Sequence, residues 1–63
     1  MLNYVKLILS KVSFDKSLFE KELRKAIVML IPNEITELRN WCMENFGHIY
    51  RPIIDRCFVK AGI

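Results

Sequence analysis

Three side chains of this 63-residue chain carry metal-binding or nucleophilic chemistry and lie near one another in sequence: Cys42, His48 and Cys57. The first two fall in the segment WCMENFGHIYRP, residues 41–52, together with aromatic and basic groups. Thiolates and imidazole are zinc ligands. Structural zinc, however, takes four donors, commonly supplied as close C-x₂₋₄-C or H-x₃₋₅-H pairs that pre-form half the tetrahedron. Five and eight residues separate these three groups, and no fourth ligand is evident. No metal and no cofactor are expected. A disulfide between Cys42 and Cys57 is conceivable if two helices form a hairpin; otherwise each thiol packs as a small hydrophobe.

Covalent catalysis needs a thiol in an exposed, electropositive niche with a base in reach. His48, the only histidine, follows Gly47 and reads as a loop or helix-terminal residue. The two glycines stand fifteen residues apart, so no glycine-rich loop cradles a phosphate. Glu20 and Glu22 are the nearest thing to paired carboxylates and do not share a helix face. Chains this short rarely build a pocket that excludes water. These points predict a protein that is not an enzyme and has no small-molecule substrate.

Nucleic-acid recognition is the stronger rival. Residues 38–58, LRNWCMENFGHIYRPIIDRCF, outline a helix, a short turn and a second helix, as a helix-turn-helix would. Tyr50, Arg51 and Arg56 are the candidate contacts to bases and phosphates. Against this, Pro52, Ile53 and Ile54 make the start of the second helix apolar, and Glu37 and Glu44 make the first acidic. The basic residues are dispersed, whereas electrostatic binding needs several phosphate contacts from one surface.

The elements that position these groups are helices. Pro32, Gly47 and Pro52 punctuate a pattern of threes and fours, and nothing alternates as a strand would. Helix 1 is predicted over residues 2–12, with Leu2, Val5, Ile8, Leu9 and Val12 buried. Helix 2 covers about 17–31, with Ser17 and Glu20 as a capping box and Asp15 and Ser13 as competing caps. Its buried stripe is Phe19, Leu23, Ala26, Ile27 and Leu30. Helix 3, about 34–46, is capped by Asn33, buries Ile35, Leu38, Cys42 and Phe46, and ends on a left-handed Gly47. Helix 4, about 51–61, starts at Pro52, buries Ile53, Ile54, Cys57, Phe58 and Ala61, and ends at Gly62. The expected fold is all-α, a single domain over 1–63 forming a small bundle of three to four short helices.

Ten basic and seven acidic residues give a net charge of +3, and no run of like charge exceeds Arg24–Lys25. Two cysteines are too few for a disulfide scaffold, MLNYVKLILSKV lacks a basic leader and a cleavage site, and AIVMLIP is too short to cross a membrane. A reducing, cytoplasmic setting is expected. Helix 1, with Lys6 and Lys11, is weakly basic for an interfacial membrane helix.

Size then sets a demand. A chain of this mass buries roughly 6,600 Å² on folding, leaving roughly 4,200 Å² exposed. Burial contributes about 95 kcal/mol and chain ordering costs about 95 kcal/mol. So even a balance calls for further burial, and the chain has apolar residues to spare. Leu7, Val28, Met29, Trp41 and Val59 fall outside the predicted stripes, and Met and Trp are enriched at interfaces. They are the expected interface of a self-associating protein, a homodimer or a complex with another protein.

Overall fold

The computed structural model describes residues 1–60 (the backbone alone for Lys60) as three α-helices: α1 Leu2–Lys11, α2 Lys16–Met29 and α3 Pro32–Lys60. The expected all-α fold is therefore the one observed, and no described residue is in a strand. The expected places of Ala61 and Gly62 lie outside the described residues.

The predicted stripes make up most of the core; Phe46 is half-buried against it, and Ile8, expected to be buried, is half-buried and lines a cleft between α1 and α2. Phe19, Leu23, Ala26, Ile27 and Leu30 of the α2 stripe are all buried, as are Ile35, Leu38, Cys42, Ile53, Ile54, Cys57 and Phe58 of α3. From α1, Val5 and Leu9 are buried, while Leu2 and Val12 pack at the edge. Folded surface comes to 4128 Å², close to the scaling value for a chain of this mass.

Helices 3 and 4 are one element with a sharp corner. A straight 29-residue helix would measure about 43 Å at 1.5 Å per residue. The whole molecule is only 26 Å in its longest dimension. The reversal is made at Tyr50, the one non-helical residue of α3 (φ −117°, ψ 22°). Its effect shows in Arg39 and Asp55, sixteen residues apart, whose side chains come within 3.9 Å. Pro52 explains the corner. It offers no N–H to the carbonyl of His48 and its ring crowds that carbonyl, so the helix yields just before it.

Three expectations are corrected. Gly47 is not a left-handed cap: it lies inside the helix, and the corner falls three residues later, where proline rather than glycine forces it. The N-cap of α2 is Asp15, whose carboxylate accepts from the Leu18 N–H at 3.1 Å, not Ser17. Glu20, released from capping, pairs with Arg24 at 2.7 Å and Arg56 at 3.0 Å. At the start of α3, Pro32 takes the first helical position and Ile31 supplies the first carbonyl, accepting from Ile35 N–H at 3.0 Å. Glu34 reaches back to accept from the Ile31 N–H at 3.3 Å, so Asn33, two positions past Ile31, is too late to cap.

Candidate functional site

Cys42 and Cys57 are free and buried. Burial pushes the Cys42 thiol up to about 12, with a further rise from nearby Cys57 and a smaller lowering by Lys6. Burial also raises Cys57, partly offset by a hydrogen bond with Arg24. Neither thiol is a thiolate near neutral pH, so neither is poised as a nucleophile. His48 is exposed on the last turn before the corner. Among the described residues, no three His, Cys, Asp or Glu side chains converge as a metal site would need.

The candidate nucleic-acid residues are dispersed by the fold. Tyr50 is buried; its hydroxyl donates to the Ser13 carbonyl at 2.6 Å and its ring stacks on Phe19 with centroids 4.7 Å apart. It is a core residue that ties the corner of α3 to the α1–α2 turn. Arg56 is exposed but lies against Glu20. Arg51 remains open to solvent and, with Arg39, Met43, Gly47 and His48, lines a shallow groove on the elbow of α3.

The five apolar residues expected at an interface also separate. Trp41 is half-buried and covered from within the chain. Phe46 meets its ring edge-on at 5.5 Å and the Lys6 ammonium stands 5.9 Å from its centroid. Val28 is 85% exposed on the outer crest of α2, opposite its buried stripe, and Val59 is exposed on the last helical segment. Leu7 is exposed on the crest of α1 opposite Val5 and Leu9, and Met29 is different, because it lines a cleft.

That cleft, of about 280 Å³, runs between α1 and α2. Val5, Leu9 and Ala26 make its floor; Met1, Tyr4 and Ile8 form one wall, and Glu22, Lys25 and Met29 the other. Glu22 and Lys25 pair with each other at 3.7 Å, so the rim is close to neutral. Leu7 follows Tyr4 on the outer side of α1, and Leu18 precedes Glu22 on the same side of α2. Phe14, in the connecting turn, is 79% exposed. Of the cleft's lining, Met1, Tyr4 and Met29 are exposed, and Leu7 and Leu18 are exposed on the same two helices.

Met1, Tyr4, Phe14 and Leu18 were missed in the sequence, and a signal for Tyr4 was present. Tyr4 and Leu7 sit three apart on the side of α1 away from Val5 and Leu9, which is a second apolar stripe on one short helix. Phe14 gave no such signal, because turn residues have no helical periodicity. No protein-family model, curated protein or solved structure matches this chain.

Proposed function

We propose that this protein is a non-catalytic helical module that works by protein–protein contact, and that it self-associates through the α1–α2 face. One observation carries this reading: Met1, Tyr4 and Met29 are exposed around one apolar cleft between α1 and α2, and Leu7 and Leu18 are exposed on the same two helices. Single exposed apolar residues are ordinary; a contiguous group of several hundred Å² marks an interaction surface. The near-even balance of burial and ordering supports the same conclusion, since a second copy supplies the missing burial. No described helix is long and apolar enough to cross a membrane. A reducing, cytoplasmic setting goes with a chain whose two thiols are buried and free.

The test compares solution mass for paired charge variants. Leu7→Glu with Met29→Lys alters the exposed crest of α1 and the cleft wall of α2, and is expected to abolish association while leaving helicity intact. Val28→Glu, on the outer crest of the same helix, is expected to leave the mass of the native assembly unchanged. Retention of that mass by the first variant would remove the α1–α2 face as the interface. Strongly salt-dependent binding of duplex DNA, lost on Arg39→Ala with Arg51→Ala, would instead favour a nucleic-acid contact at the elbow.

A further inference from the structure

We propose that the groove at the elbow of α3 binds a small organic phosphate monoester, whose phosphate is held between Arg39 and Arg51. The groove, of about 460 Å³, is lined by Arg39, Met43, Gly47, His48 and Arg51, and shares no residue with the α1–α2 cleft. Arg39, Met43 and Gly47 recur every fourth residue along one ridge of α3, and the corner at Tyr50 brings Arg51 to the end of it. At the middle, Gly47 leaves the floor open: a Cβ there would meet only Met43, at 3.7 and 3.9 Å. His48, exposed beside Gly47, adds an imidazole to the wall.

Charge selects the ligand. Asp55 stands 3.9 Å from Arg39, and with 42% and 47% of the two side chains exposed the pair contributes little in water. Among the described residues no carboxylate pairs with Arg51, although Asp55 lies one turn beyond it. Two guanidinium groups are thus set against one carboxylate. A phosphate monoester carries a charge of about −1.5 to −2 at pH 7 and three strong acceptor oxygens, so it can accept from both arginines and displace the singly charged Asp55. The Met43 thioether and the bare backbone at Gly47 give its organic group an apolar seat. Glu37 and Glu44 on the same helix repel a longer polyanion, which favours one compact phosphate over a nucleic-acid backbone.

Amide chemical shifts of the isotope-labelled protein, followed during titration with phenyl phosphate at constant ionic strength, test the site. The expected result is saturable shifts at Met43, Gly47, His48 and Arg51, with little response to benzoate, which brings the same ring on a singly charged carboxylate. Arg39→Gln and Arg51→Gln are each expected to weaken binding about tenfold. Asp55→Asn, by freeing Arg39, is expected to tighten it about two- to fivefold. Lys21→Gln removes the same charge from α2, outside the groove, and is expected to leave the affinity unchanged. Equal weakening by Lys21→Gln, or weaker binding in Asp55→Asn, overturns the site, because net charge and not the groove would then be holding the anion. Inorganic phosphate binding as tightly as phenyl phosphate overturns the seat for an organic group and assigns the groove to the free ion. Absence of saturation at millimolar phenyl phosphate overturns the proposal outright, and shifts of the same amides by duplex DNA would then give the groove to a nucleic-acid backbone.

Discussion

Tyr50 joins three parts of the molecule through one side chain. Its ring stacks on Phe19 of α2, its hydroxyl donates to Ser13 in the α1–α2 turn, and its backbone makes the corner of α3. Phe19 in turn meets Phe46 edge-on at 5.1 Å, so the corner is held by a cluster of rings rather than by a tight turn. Tyr50→Phe keeps the ring and deletes the hydroxyl, leaving the Ser13 carbonyl without its part-buried donor. The expected cost is about 0.5–1.5 kcal/mol, a fall in Tm of roughly 5 °C, with the helical signal retained. An unchanged melting curve would show that the hydroxyl contributes nothing to the fold. In the sequence, Tyr50 read as a polar residue at the head of a recognition helix. A tyrosine can satisfy either role, and only the return of the chain onto Phe19 decides between them.

At the scale of the element, local periodicity located the helical stripes and misplaced the punctuation. Stripes depend on side-chain chemistry repeated over ten or more residues, so Phe19 to Leu30 and Ile35 to Cys42 were legible. Punctuation depends on which of several competent residues wins. Asp15, Ser13 and Ser17 could each cap α2, and Asp15 wins because its carboxylate meets Leu18 N–H. Gly47 and Pro52 could each end helix 3, and Pro52 wins because it removes a hydrogen bond, while glycine merely permits a reversal. A consequence separates the two positions for the corner. A methyl group at residue 47 would meet only Met43, at 3.7 and 3.9 Å, which is ordinary contact. Gly47→Ala is therefore expected to stabilise the protein by about 0.5–1 kcal/mol and raise Tm by several degrees. Destabilisation of that size would mean that residue 47 needs a left-handed backbone after all.

For the whole molecule, the core is of ordinary compactness for its mass, yet the surface keeps an apolar face. The two facts belong together: the bundle buries one stripe of α1 and leaves Tyr4 and Leu7 exposed on its other side. That face was half legible in the sequence. Leu7 and Met29 stood out because they broke their own helix patterns, but Val28, Val59 and Trp41 broke theirs as well and lie elsewhere. What separates them is the antiparallel pairing of α1 with α2, which sets Tyr4 beside Met29 and carries Trp41 inward against Lys6 and Phe46. Such pairing is a tertiary fact, and no count of residues along one helix contains it.

Self-association is the central claim, and solution mass by light scattering across a tenfold concentration range tests it most directly. The account predicts an assembly of two or more copies of the 7.5 kDa chain, persisting on dilution. A mass of one chain throughout that range would contradict it.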